Sequence, residues 1–323
     1  MAHSRIGTFA DADHYQEAVR ASRTELFVTA AGAFHGEVTA IDLQRLWLQR
    51  GADNLARLAR LSVKPDRAPI SFHADVDQAP IQHAGGEVTP GEILVHAADA
   101  VHIQRTRGAY RWSSMSLTPE DLARAGETIA GRPLTVPADT FAFRPPPALM
   151  ARLMALHQAA TQLAKQQPER LADAATARAL EQDLLHAMVA CLSSREAVGT
   201  RRFWQHAKVI VRFEDFLASK RYEPVYIAEI CSAIGVSERT LRTCCHEHFG
   251  MGPVRYLWLR RMHLAKRALL RADAASATVT TIATEHGFWE LGRFSVEYRG
   301  LFGEPPSATL KRPPDDALGA KAH

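Results

Sequence analysis

IAEICSAIGVSERTLRTCCHEHFG, residues 227–250, and VTTIATEHGFWELGRFSVEYRGLFG, residues 279–303, are two copies of one pattern in a chain of 323 residues. Positions 53 residues apart correspond: Leu241, Cys245, Phe249, Gly250 and Pro253 recur as Phe294, Tyr298, Phe302, Gly303 and Pro306. Self-similarity at a fixed spacing indicates a repeated supersecondary unit. The C-terminal third of the chain is therefore predicted to contain one small helical unit twice.

Each copy has the pattern of a helix-turn-helix unit. Ile227 to Ile234 is apolar at helical spacing, Gly235 permits a tight turn, and Ser237 can cap a second helix that has Glu238 in its first turn. The second copy turns at Gly287-Phe288 and continues from Leu291. Two helices that cross at such a turn are typical of proteins that place the second helix in the major groove of DNA.

A basic helix is predicted between the two copies, starting at Pro253. Its roughly 19 residues would span about 28 Å, close to the roughly 34 Å between successive major-groove faces on one side of a duplex. Residues 201–312 contain 18 Lys and Arg against 11 Asp and Glu, a net charge of +7, whereas residues 1–200 have a net charge of −2. The basic excess is local and favours nucleic-acid binding, although charge alone also fits a solvated basic face.

The two copies together closely resemble the AraC/XylS family of transcription regulators over about 100 residues. The most specific matches are Gly287-Phe288, Phe294, Tyr298, Leu301-Phe302-Gly303 and Pro306-Ser307. The resemblance implies a sequence-specific regulator of transcription, more often an activator, that binds double-stranded DNA. It also implies a small-molecule effector, a homodimer and RNA polymerase as an expected partner. The β-rich N-terminal half looks like the cupin-type ligand-binding domain of many members.

The resemblance also implies the residues that contact DNA. Those predicted to contact bases are Arg239, Arg242, Thr243, Leu291, Gly292, Arg293, Val296 and Glu297. Those predicted to contact phosphates are Ser237, Arg260, Arg261, Lys266 and Arg267. Arginine can contact guanine O6 and N7 together, although a phosphate clamp or a plain surface charge is the alternative for Arg239 and Arg293. Gly292 departs from the small polar residue that is common in the family.

The remaining chain predicts a multidomain α+β protein. Short strand-like runs separated by turns over residues 1–140 indicate a cupin-like β-barrel that senses a ligand and dimerises. Residues 141–200 are predicted to form a helical connector, whose apolar faces serve either packing on the β domain or dimerisation. Residues 201–312 form the all-α domain with two helix-turn-helix motifs, and residues 313–323 a disordered tail.

Four N-terminal histidines, His73, His83, His96 and His102, are predicted to line a ligand pocket. The chain lacks the His-x-His pair with a following Glu that metal-binding cupins show, so no metal and no other cofactor is expected. No catalytic motif is present, and no enzyme is predicted. Two alternatives stay open: a cupin-like metalloenzyme domain fused to a DNA-binding domain, and a dimeric regulator without a ligand. Without a signal peptide or a membrane segment, a cytoplasmic protein is expected.

Overall fold

The computed structural model describes residues 2–195, 201–202, 207–220 and 225–312, so the tail predicted over 313–323 lies outside the described residues. The strands are β1 (His3–Phe9), β2 (Ser22–Val28), β3 (Gly36–Leu43), β4 (Leu46–Asp53), β5 (Arg57–Val63), β6 (Ala68–His73), β7 (Ile81–His83), β8 (Gly86–Val88), β9 (Ile93–Val95), β10 (Val101–Arg105), β11 (Tyr110–Leu117), β12 (Phe141–Phe143) and β13 (Arg201–Arg202). The helices are α1 (Ala12–Glu17), α2 (Pro119–Ala130), α3 (Pro147–Gln166), α4 (Pro168–Ala172), α5 (Ala174–Ser193), α6 (Ala207–Ser219), α7 (Ile227–Ile234), α8 (Glu238–Phe249), α9 (Pro253–Arg271), α10 (Val279–Glu285), α11 (Leu291–Phe302) and α12 (Pro306–Lys311).

The N-terminal strands form two sheets rather than the closed barrel that was predicted. The larger sheet has the order β1-β3-β4-β11-β6-β9-β12-β13, and the smaller sheet has the order β2-β5-β10-β7-β8. Successive strands β1 and β2 enter different sheets, with α1 between them. Neither strand order closes on itself, so each sheet keeps two edges. Leu26 and Val28 of the smaller sheet share a core with Tyr110 and Trp112 of the larger sheet. The alternating pattern of the sequence was correct, but it does not distinguish a sandwich from a barrel.

The helices after the β domain cover the outer face of the larger sheet. Met150 and Leu153 of α3 and Met188 of α5 are buried in one core with Ile41 and Met115 of the sheet. Of the two uses considered for these apolar faces, the structure therefore shows packing on the β domain. The strand β12 joins the larger sheet through β9, so the sheet continues past residue 140.

The C-terminal helices confirm the repeated helix-turn-helix pattern. Gly235 ends α7 in the left-handed conformation with φ 68°, which glycine adopts without the strain of a Cβ atom. The side chain of Ser237 caps α8 by accepting a hydrogen bond from the backbone N–H of Thr240 at 3.1 Å. In the second copy, Gly287 has φ 76° and α11 begins at Leu291. The connecting helix α9 has 19 residues.

The C-terminal domain packs on the outer face of the smaller sheet. Phe27, Leu58 and Ile103 belong to the same apolar core as Leu259 and Met262 of α9. The described chain is thus layered: connector helices, larger sheet, smaller sheet, and the C-terminal helices. None of its described helices combines the length and the apolar character needed to cross a membrane.

Candidate nucleic-acid interface

The start of α8 presents polar side chains to solvent. Arg239, Arg242 and Thr243 are all exposed. Arg242 forms an ion pair with Glu238 one turn earlier at 2.8 Å, and both side chains remain more than half exposed. Such a surface pair contributes little stability, so it can be exchanged for a contact with a base or a phosphate at little cost. The first recognition helix therefore offers two arginines and a hydroxyl in an accessible turn.

The start of α11 is differently built. Its N-cap, Glu290, makes no side-chain capping bond, and nothing lies within 4 Å of the Cβ position that a residue larger than Gly292 would have. Val296 is 74% exposed, whereas Leu291 is partly buried against the C-terminal core. Leu291 is thus less accessible to DNA than the sequence suggested, and Val296 is the accessible apolar side chain.

Arg293 is held in place by a carboxylate that is itself anchored to α9. The Nε–H of Arg293 donates to Oε1 of Glu297 at 2.9 Å, and the indole N–H of Trp258 donates to Oε2 of the same carboxylate at 2.8 Å. Burial alone would raise the pKa of Glu297, but the hydrogen bonds from Arg293 and Trp258 outweigh it and leave the pKa below its ordinary value. Glu297, predicted to contact bases, therefore orients Arg293 in this structure.

One exposed aromatic side chain at this surface was missed from the sequence. Trp289 lies two residues before α11 and is 78% exposed. A large aromatic residue is costly to leave in water, and tryptophan is a common anchor at interfaces. The signal that the sequence offered for this residue was its position between the turn at Gly287 and the start of α11.

Two of the predicted phosphate contacts are already occupied by carboxylates. The guanidinium of Arg260 lies 3.4 Å from Glu214 of α6, and the ammonium of Lys266 lies 2.5 Å from Asp11 at the start of α1. Arg260 and Lys266 are 5% and 8% exposed. Neither cation is open to a phosphate in this arrangement, because their face of α9 lies against α6 and the β domain.

Arg267 also bonds to acidic groups across the domain boundary. It forms ion pairs with Asp13 at 2.6 Å and with Glu25 at 2.5 Å, and it donates a third hydrogen bond to the carbonyl of Leu26 at 3.2 Å. Arg261, on the other side of α9, is exposed, and its guanidinium carbon lies 5.4 Å from the ring of Phe288. Of the four basic residues predicted on α9, Arg261 is the one that can reach a phosphate without a change in domain arrangement.

The domain boundary also buries titratable groups. The ring of His263 bonds to the carbonyl oxygen of Val28 at 3.1 Å, and burial, with Arg267 nearby, lowers the pKa of His263 to about 3. Burial alone would raise the pKa of Asp11, but the charge and hydrogen bond of Lys266 hold it below its ordinary value. The docked face therefore holds a neutral histidine next to formal ion pairs.

The four N-terminal histidines do not share one pocket. A cavity of about 90 Å³ lies between the two sheets and is lined by His96 together with Tyr15, Arg57, Gln104 and Trp112. His102 lines a second cavity beside α6. His73 instead packs edge-on against Tyr110, at 5.4 Å between ring centroids. His83, His96 and His102 do lie close together, with centroids 5.0 to 5.8 Å apart.

Comparison with known proteins places the repeat in a known domain class. A family model described as a helix-turn-helix domain matches residues 230–312. The probable thc operon regulatory protein of Rhodococcus erythropolis is 40% identical over 100 residues, and XylDLEGF operon transcriptional activator 3 of Pseudomonas putida is 31% identical over 101 residues. Each match covers 31% of this chain and 30% of the relative, so the chain spans less than a third of the length of these relatives.

Some solved structures are similar over most of the chain. One of them is that of the AraC-like transcriptional activator CuxR, which is 14% identical, with a TM-score of 0.43, and the similarity covers 87% of this chain and 99% of that one.

Proposed function

We propose that the chain is a regulator of the AraC/XylS family, which binds duplex DNA sequence-specifically and activates transcription in response to a small molecule. The observation that carries the proposal is the pair of helix-turn-helix units whose second helices, α8 and α11, each expose an arginine in the first turn. The single helix α9 joins them. This architecture supports the role of a cytoplasmic protein that binds DNA and catalyses no reaction.

The base contacts are assigned to the two helix starts. Arg239 and Arg242 on α8 and Arg293 on α11 offer guanidinium groups that suit guanine, and Val296 offers an apolar surface that suits the methyl group of thymine. Arg261 and Ser237 supply phosphate contacts in the docked arrangement. Arg260, Lys266 and Arg267 become available for phosphates when α9 separates from the acidic groups of α6 and the β domain.

Effector control is proposed to act through this docking. The cavity between the sheets combines aromatic walls with polar groups such as Arg57 and Gln104, as sites for small organic molecules usually do. It is bounded by β2 and β5, whose outer-facing Phe27 and Leu58 pack against the DNA-binding domain. A ligand that changes the position of these strands shifts the population of docked molecules. A homodimer that contacts RNA polymerase completes the proposal, by analogy with activators of this family.

Selection of bound sequences from random duplex DNA by the purified full chain tests the function. We expect two short sequence blocks about one helical turn apart. Arg239→Ala should relax one block and Arg293→Ala the other, each by about 1–3 kcal/mol at the contacted base pair. Arg124→Ala, which removes a 68% exposed arginine from α2, is the matched control and should change neither block.

Docking of α9 must be considered in reading a negative result. The selection is therefore repeated with Asp11→Asn, which removes the partner of Lys266 and weakens the docked arrangement. Absence of enrichment with both folded proteins would refute the proposed function. Enrichment that neither Arg239→Ala nor Arg293→Ala changes would refute the assignment of the base contacts.

A further inference from the structure

Three histidines from separate strands or strand ends meet between the two sheets. His83 ends β7, His96 follows β9, and His102 lies in β10, and the three are 0%, 5% and 8% exposed. One ring nitrogen of each lies within 4.8 Å of the corresponding nitrogens of the other two. We propose that these three histidines bind a divalent transition-metal ion of the Zn²⁺ class, a site independent of the proposed DNA contacts.

In two of the rings a hydroxyl group occupies one nitrogen, which leaves the second nitrogen for a metal ion. Nε2 of His96 bonds to the hydroxyl of Ser71 at 2.8 Å, and Nε2 of His102 bonds to the hydroxyl of Thr140 at 2.8 Å. Metal-ligating histidines almost always use their second nitrogen in this way, which fixes both the tautomer and the orientation of the ring. Thr140 is held in turn, because its oxygen accepts the backbone N–H of Ala97 at 2.9 Å.

The second ring nitrogen of His96 is a buried polar atom without a hydrogen bond. Within the part of the chain that the structure describes, Nδ1 of His96 has no hydrogen-bond partner. Buried polar atoms are nearly always satisfied, and an unsatisfied one often marks the place of an ion or a water molecule. A metal ion between the rings would satisfy this nitrogen.

The ligand set of the cluster suits a metal ion of the Zn²⁺ class. Three imidazoles with an open fourth position are an established ligand set for Zn²⁺, whereas Mg²⁺ and Ca²⁺ prefer oxygen.

The geometry needs a modest adjustment and offers an entry path. Bonds of about 2.0–2.1 Å to Zn²⁺ place tetrahedral nitrogens about 3.3 Å apart, so the rings must approach one another by at most about 1.5 Å. His102, Thr140 and Ala97 also line a cavity of about 570 Å³ beside α6. This cavity can admit the ion and supply water as a fourth ligand.

The sequence predicted no metal site, because the three proposed ligands are spread along the chain. His83, His96 and His102 show no His-x-His pair, and only the pairing of β10 with β7 brings two of their strands together. The site would join β7, β9 and β10. The next residue of β10 after His102, Ile103, lies in the core shared with the DNA-binding helices, so the site adjoins the domain boundary.

Metal titration of the purified, chelator-treated full chain tests the proposal. We expect one Co²⁺ ion per chain with the absorption spectrum of a tetrahedral site, displaced by Zn²⁺, and X-ray absorption should show imidazole nitrogens as ligands. His96→Ala and His102→Ala should abolish binding. Ser71→Ala should lower the affinity about 10- to 100-fold, because it removes only the group that orients His96.

The control is His73→Asn, which changes another buried histidine outside the cluster and should bind metal like the wild type. If the alanine variants do not fold, as judged by circular dichroism, the wild-type spectra decide. Wild-type protein that binds no Co²⁺ or Zn²⁺, or that binds it through oxygen ligands, would overturn the proposal. So would binding that folded His96→Ala and Ser71→Ala both retain at full affinity.

Discussion

Replacing Asp11 by Asn tests whether the docked arrangement of α9 restrains DNA binding. Asp11 is the N-cap of α1, where its side chain accepts the N–H of Asp13 at 2.8 Å, and it pairs with Lys266 across the domain boundary. Asparagine caps helices about as well as aspartate does. The substitution therefore removes the charge opposite Lys266 and leaves the local helix start intact.

The size of the effect follows from the burial of the pair. The side chains of Lys266 and Asp11 are 10% and 6% exposed. Removing one partner of a buried ion pair costs about 3–5 kcal/mol, because the other charge is left uncompensated. At the lower end, the ratio of docked to separated molecules falls about 100-fold, since about 1.4 kcal/mol corresponds to a factor of ten.

We expect DNA affinity to report this shift, because Lys266, a proposed phosphate contact, is buried against Asp11 in docked molecules. The apparent dissociation constant varies inversely with the fraction of separated molecules, which are the ones competent to bind DNA fully. Asp11→Asn should therefore bind a selected duplex up to about 100-fold more tightly. Fluorescence anisotropy at fixed salt measures it. The matched control is Asp173→Asn, which makes the same change at the N-cap of α5. Unchanged or weaker binding by a folded Asp11→Asn protein would refute the reasoning.

Three further predictions concern acid stability, the first turn and the second recognition helix. Buried histidines whose folded-state pKa lies below the ordinary value of about 6.5 take up protons more readily in the unfolded chain. The metal-free, chelator-treated protein should therefore lose stability as the pH falls from about 6.5 towards 4. The loss should reach up to about 1.4 kcal/mol per pH unit for each histidine. They are His73, His96, His102, His157 and His263, with pKa values of about 3 to 4, and His83, whose pKa burial also lowers well below the ordinary value. A urea midpoint that stays constant from about pH 7 to about pH 5 would contradict this. Gly235→Ala should cost about 1–2 kcal/mol, because an alanine at φ 68° is strained although space is open; Gly300→Ala, within α11, should instead stabilise by up to about 1 kcal/mol in the same thermal melts. Val296→Ser should relax sequence selection at one base pair of the second block and leave the first block unchanged, and a change in both blocks would remove Val296 from the base contacts.

The helix-turn-helix units could be predicted because their signals are local. Gly235, Ser237 and Gly287 act within a few residues of their own position, and the bounds of α8 and α11 follow from them. The start of α2 shows signals of the same local kind, since the side chain of Thr118 caps the helix and Pro119 stands in its first turn. Capping and turn geometry depend on neighbours in the chain, so one sequence is enough to read them.

The partners of α9 could not be predicted, because they are distant in sequence. Lys266 and Asp11 are 255 residues apart, and nothing in either segment indicates the pairing. A basic helix has the same composition whether it faces phosphates or carboxylates. The acidic residues near the N-terminus were visible, but their destination depends on how two domains pack.

The arrangement of the sheets and the clustering of the histidines could not be predicted for a related reason. Alternating apolar residues predict strands with one buried face, and this pattern is the same in a barrel and in a sandwich. Phe27 can lie on the outer side of β2 because the C-terminal domain covers it. This covering depends on tertiary packing and is not visible in the local sequence. In the same way, His83 and His102 become neighbours only through the register of β7 and β10.

The chain of contacts from Trp258 through Glu297 to Arg293 bears on how this protein can evolve. Trp258 lies on α9, behind the recognition helix, and yet it fixes the carboxylate that aims Arg293. For the proposed base contact of Arg293, part of the rotational entropy that an arginine loses on meeting a base is given up before DNA arrives. Substitutions at Trp258 therefore offer a route by which sequence preference can drift between related promoters while every residue on the face of α11 stays the same.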